Sequence, residues 1–147
     1  MNKYNITDNT VAILPMGNNQ SIIYEVDNIL VINSNPNSII KYNCVVNGSS
    51  YDIRVNYYRN LTGNTYKSPI LVKNNILFFP TCSPRVKKVS WINLKYINNI
   101  YFNNKNNKSV IVFSNGNKIN FNESFRSLNN QILKASRFEF LLRKKEA

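Results

Sequence analysis

The chain has 147 residues, with nineteen Lys and Arg against seven Asp and Glu, two cysteines and no histidine. That length suits one domain over residues 1–147, burying about two-thirds of the surface its unfolded chain would expose. The missing histidine excludes the usual zinc ligand sets and any Ser–His or Cys–His pair within the chain, and seven scattered acids offer no paired carboxylates for a metal-dependent nuclease.

The expected partner is therefore not a small-molecule substrate, no cofactor is implied, and no enzyme activity is expected. No run of about 20 apolar residues exists to cross a bilayer. The opening Met1-Asn2-Lys3-Tyr4-Asn5 lacks the apolar stretch of a secretory signal. These features predict a soluble, cytoplasmic protein with no membrane partner. In a reducing compartment Cys44 and Cys82 are expected as unpaired thiols that behave as small hydrophobes.

The net charge of +12 is uneven: residues 1–50 carry −1, residues 51–100 carry +7 and residues 101–147 carry +6. Such a field raises encounter rates with anionic partners, nucleic acid first among them. Asn makes up about a fifth of the chain, and Ile, Lys, Tyr and Phe are abundant. All share A/T-rich codons, so genome composition accounts for part of the Lys count. It does not account for six arginines or for the shortage of acids.

In chain order, residues 11–14 form a short apolar run ended by Pro15, an expected edge strand. Residues 21–26 and 29–33 are β-branched runs joined by Asp27-Asn28, a hairpin in a nearly neutral scaffold. Asn35 and Pro36 suit the cap and first position of a helix that Gly48 stops. A second helix is predicted over 50–60, with Tyr51, Val55 and Tyr58 on one side, Arg54 and Arg59 away from it, and Gly63 as terminator. Ile70, Leu71 and Val72 then face Ile76, Leu77, Phe78 and Phe79 across an Asn74-Asn75 turn, which reads as a buried hairpin.

That hairpin ends in a Pro-bracketed loop, residues 80–89, carrying Arg85, Lys87 and Lys88 and no acid. A β-meander follows, with strands over 97–102, 110–113 and 117–121 and a type I′ turn at Asn115-Gly116. Residues 123–145 are predicted as a long amphipathic helix capped by Asn122, with Phe125, Leu128, Ile132, Ala135 and Leu142 on its buried stripe and Arg126, Lys134 and Arg137 opposite. The fold expected is α+β: an antiparallel sheet and β-meander, two short central helices and a long C-terminal amphipathic helix.

Several ordered segments resemble the competence transcription factor (ComK) family. They are Gly48-Ser49-Ser50-Tyr51 with Arg54, Lys67-Ser68-Pro69-Ile70, Leu77-Phe78-Phe79-Pro80-Thr81, Trp91-Ile92, Val112-Phe113-Ser114-Asn115-Gly116, and Ser124-Phe125 with Asn130-Gln131. Ile53 stands where that family often has Gly before the Arg. The resemblance implies a transcription activator of DNA-uptake genes without a helix-turn-helix. It further implies binding of A/T-rich double-stranded DNA, largely through the minor groove, as a homodimer or dimer of dimers, and removal by way of a proteolytic adaptor.

The candidate DNA contacts are Arg85, Lys87 and Lys88 of the loop, Arg54 and Arg59 of the second short helix, Lys67 and Lys73 bracketing the hairpin's first strand, and Arg126, Lys134 and Arg137 of the long helix. Phe138, Phe140 and Leu141 fall off the expected buried stripe and form a candidate dimer interface. Two other readings remain open. One is an RNA- or single-strand-binding module using the same charge with exposed aromatics. The other is a basic interaction protein without a nucleic-acid partner.

Overall fold

The computed structural model describes residues 2–86 and 88–146. The observed fold is α+β, as expected. The first half contains β1 (Thr10–Met16), β2 (Gln20–Glu25), β3 (Ile29–Ile32), α1 (Pro36–Val46) and α2 (Tyr51–Thr62). The second half contains β4 (Ile70–Lys73), β5 (Ile76–Pro80), β6 (Trp91–Asn93), β7 (Ile97–Asn103), β8 (Lys108–Phe113), β9 (Lys118–Phe121) and α3 (Phe125–Glu146). A six-stranded antiparallel sheet runs in the order β3-β2-β1-β6-β5-β4, and the meander β7-β8-β9 forms a second sheet.

The helix boundaries follow the local chemistry. Asn35 accepts a hydrogen bond from the Ser38 amide, and Pro36 opens α1, where its missing N–H costs nothing. Ser50 caps α2 through the Ile53 amide, and Gly63 closes it at φ +74. Each such N-cap contributes about 1 kcal/mol. Ile53 is an exposed position inside α2, so no turn forms there.

The middle of the six-stranded sheet, at β1, β6 and β5, is buried on both faces. Alternation along the strands sends Ile13, Phe78 and Trp91 to one side, where Ile39, Ile40 and Cys44 of α1 cover them. It sends Ala12, Leu77, Phe79 and Ile92 to the other, against Leu128, Ala135 and Phe138 of α3 and Ile111 and Phe113 of β8. A strand buried on both faces loses the alternating pattern, which is why β5 is apolar throughout. Each large apolar side chain removed from water contributes about 1.5–3 kcal/mol.

Four local expectations are corrected. β1 is an interior strand, paired along its length with β2 and through Ala12 and Ile13 with β6. Pro15 is tolerated because it lies past those two residues, where β1 has only one neighbour. The Asn115-Gly116 hairpin forms, but only Gly116 has positive φ. Phe113 pairs with Asn117 around a three-residue loop, so the turn is not type I′.

The cap of α3 is Ser124, which accepts from the Ser127 amide, whereas the Asn122 side chain accepts from Lys108 Nζ. Finally, the fully buried stripe of α3 is Leu128, Gln131, Ala135 and Phe138; the expected Ile132 and Leu142 pack partly buried beside it, and Phe125 is exposed. The stripe is rotated because Gln131 finds buried carbonyl partners and Phe138 packs on α2.

Candidate nucleic-acid interface

α1 and α2 form one wall of an open cleft of about 760 Å³, and residues 65–68 and 83–85 form the other. On α2, Asp52, Val55, Asn56 and Arg59 line it, as the helical spacing of three, four and seven residues dictates. Arg59 lies in the last turn of α2, where a cation suits the helix dipole. Lys41 projects from α1, its Nζ 5.5 Å from the Tyr51 ring centroid. Lys67 and Arg85 come from the opposite wall, so four cations from four segments meet around one acid, Asp52.

The arrangement extends at both ends. A smaller hollow shares Lys41 and Arg85 with the cleft and adds Asn18, Asn19 and Asn35. A shallow groove beside α3 shares Tyr66 and Lys67 and adds Asn130, Gln131 and Lys134. The result is a continuous polar, cationic track from the β1–β2 turn to α3. Among the described residues the single ion pair is Arg143 with Glu139, at 3.3 Å on the surface. Among the described residues, the cleft cations therefore have no carboxylate partner within 4.0 Å.

The loop carrying Arg85 is held at its base and its shoulder. Thr81 and Ser90 exchange hydrogen bonds of 2.9 Å between backbones and 3.1 Å through the Thr81 hydroxyl. Asn37, in the first turn of α1, donates to the Pro84 carbonyl at 2.7 Å and accepts from the Trp91 indole N–H at 2.9 Å. A loop pinned this way presents its side chains at low entropic cost.

Of the expected contact residues, Arg59, Lys67 and Arg85 share the cleft, and Lys134 stands at its α3 end. The Lys134 ammonium is already engaged, donating to the Tyr66 carbonyl and to Gln131 Oε1 at 2.9 Å. Burial first, then repulsion from Lys67, lowers its pKa below the usual lysine value. Lys88 is exposed on the loop but does not line the cleft, and Lys87 lies outside the described residues. Lys73 sits at the far end of β4.

Arg54 is half-buried on α2, its Nε without a hydrogen-bond partner, close enough to Cys44 to oppose the effect of burial on that thiol. It is not part of the cleft, and neither are Arg126 and Arg137, which are exposed on α3. Lys41 was missed because residues 1–50 read as a neutral scaffold; counting charge by segment hides a single lysine that folding carries to the positive side.

The expected dimer patch is only partly a surface. Phe138 is fully buried, its ring centroid 5.0 Å from that of Tyr58 and 6.1 Å from that of Tyr57, so it belongs to the chain's own core. Phe140 is exposed and Leu141 half-buried. Phe140 shares the outer face of α3 with Leu133, seven residues earlier and also exposed, along with Arg126 and Arg137.

The family described as ComK protein matches residues 1–147. The chain belongs to that family. A competence transcription factor of Bacillus subtilis (strain 168) is 29% identical over 141 residues, which cover 92% of this chain and 73% of that relative. No solved structure matches the chain. No helix among the described residues is long and apolar enough to cross a membrane.

Proposed function

We propose that this protein is a transcription activator of competence genes, a cytoplasmic non-enzyme that binds A/T-rich duplex DNA along the cationic track. The observation that carries the reading is the meeting of Lys41, Arg59, Lys67 and Arg85, from four separate segments, around a single acid. Family membership and the named function of the Bacillus subtilis relative point the same way.

Lysines along the track neutralise phosphates and release counterions, a term that is strong and indifferent to sequence. Arg59 and Arg85 are exposed on opposite walls. A guanidinium inserted into the narrow minor groove of an A-tract meets enhanced negative potential there, so preference for A/T-rich DNA needs no base-edge code. A dimer or dimer of dimers would add specificity through the spacing of two boxes, and the exposed Leu133–Phe140 face of α3 is the surface available for it.

The test is a gel shift on paired A/T-rich boxes with the spacer varied and minor-groove ligands as competitors. Binding should depend on spacer length, and the competitors should displace the protein. With six to ten phosphates contacted, affinity falls about 10³–10⁵ between 50 and 200 mM salt, and a slope near zero rejects the reading. Tyr66 is 67% exposed beside Lys67 and could stack on an unpaired base. A single strand that outcompetes the duplex would favour that alternative.

A further inference from the structure

Gln131 is 2% exposed, set between Leu128 and Ala135 on the packed face of α3. An amide there is costly unless its hydrogen-bonding groups find partners. Gln131 Nε2 donates to the Lys67 carbonyl at 3.1 Å and to the Pro80 carbonyl at 2.9 Å, and Oε1 accepts from Lys134 Nζ at 2.9 Å. Two carbonyls on one side and an ammonium on the other leave one sensible orientation for the amide.

The partners matter more than their number. Lys67 has φ +48, the left-handed region that a long side chain rarely adopts, at a cost of about 1–3 kcal/mol. Such a residue keeps its conformation only when its surroundings over-determine it. Here α3 grips two successive carbonyls of the corner, Tyr66 through Lys134 and Lys67 through Gln131. Pro80 is the last residue of β5 and the root of the loop that brings Arg85 to the cleft. One buried amide thus ties together the two chain segments that carry Lys67 and Arg85. Three of the stretches singled out in the sequence, around Lys67, Pro80 and Gln131, meet at this point.

We propose that Gln131 is a positioning residue for the nucleic-acid interface, clamping the Lys67 corner to the end of β5 so that Lys67 is held in the cleft. The inference rests on reading the cleft as that interface. Gln131 itself touches no nucleic acid, and its effect on binding passes through Lys67.

A double-mutant cycle on the paired A/T-rich duplex tests this, with circular-dichroism melts confirming that each variant is folded. Lys67→Ala should weaken binding about tenfold and reduce the salt slope by about 0.9, one phosphate's worth. Gln131→Met keeps the side chain's length but removes both donors, and should produce nearly the same two changes. The double variant should be no weaker than Lys67→Ala alone. If the two losses multiply, Gln131 does not act through Lys67 and the proposal falls while the interface stands. If Lys67→Ala changes neither affinity nor slope, both fall together. Should Gln131→Met fail to fold, Gln131→Leu, apolar and also without donors, runs the same cycle, and the same two outcomes decide.

Discussion

Two hollows of nearly equal size face different ways on this protein. The cleft of about 760 Å³ is walled by polar side chains and four cations around Asp52. A groove of about 800 Å³ between β5, β7 and the end of α3 is lined by Leu71, Leu77, Leu94, Ile97, Ile132 and Leu142. It holds Asp8, Glu139 and Glu146 against Lys95 and Arg143. In a chain with only seven acids, three stand at the second hollow and one at the first. Volume does not distinguish the two sites; the sign of the charge does. Four cations against one acid favour an anionic occupant in the cleft, whereas two cations against three acids do not in the groove.

The strongest way to break that contrast is to remove equal charge from each side. Arg59→Ala combined with Arg85→Ala should weaken duplex binding about a hundredfold at 100 mM salt, since each charge-assisted contact contributes about 1.5 kcal/mol or more. Lys95→Ala combined with Arg143→Ala removes the same two charges from the groove and should change affinity no more than about twofold, screening having a range of about 10 Å. Fluorescence anisotropy on one labelled duplex measures both. Equal losses would show that net charge, not the cleft, does the binding.

A smaller effect sharpens the comparison from the acidic side. Asp52→Asn removes the cleft's one carboxylate and should tighten binding by about threefold, the scale of one screened surface charge. The same change costs stability, about 0.3–1 kcal/mol, because Asp52 sits in the first turn of α2 where the dipole favours an anion. Anisotropy and a thermal melt on one sample read the two opposite signs.

The smallest effect expected is from pH. With no histidine in the chain, duplex affinity should stay flat from about pH 6 to 8. Above about pH 8 stability should change as well. Burial raises the Cys44 thiol from 9.0 to about 11, with Arg54 opposing, and burial raises Tyr51 and Tyr58 in the same sense. A raised acid keeps its proton longer in the folded state than in the unfolded one. Its stabilisation is thus complete below about pH 9 and is lost as the pH climbs toward 11. Urea midpoints at about pH 7.5, 9 and 10.5 check this against Cys44→Ala, which cancels the opposite contribution of the lowered Lys134; the stability advantage of the native chain over the variant should shrink as the pH rises, and an advantage that grows would contradict the raised thiol.

Most of the local architecture was legible because it is written in short-range chemistry. Asn35 with Pro36, Ser50 with Gly63, and Asn74 with Asn75 each mark an element by backbone preference alone, and all three elements are present. What escaped depends on distant partners. Nothing near Pro15 says that residues 91 and 92 will pair beside it and make β1 an interior strand. Nothing near Phe138 says that Tyr57 and Tyr58 will receive its ring. The expected stripe of α3 skipped Gln131 because a glutamine reads as surface until two carbonyls from elsewhere claim its amide. The cationic loop was visible in sequence, but its opposite wall, Lys41 and Arg59 on the helices, is a product of tertiary packing.

Trp91, the chain's sole tryptophan, lies wholly out of solvent, its N–H on Asn37 and its ring edge-on to Tyr51, 6.4 Å between centroids. Asn37 and Tyr51 both line the cleft. The protein thus carries a built-in fluorophore one layer beneath the cationic cleft, separated from any occupant by a single amide and a single phenol ring. Unlabelled material can report on events there through indole emission, since no second tryptophan shares that signal.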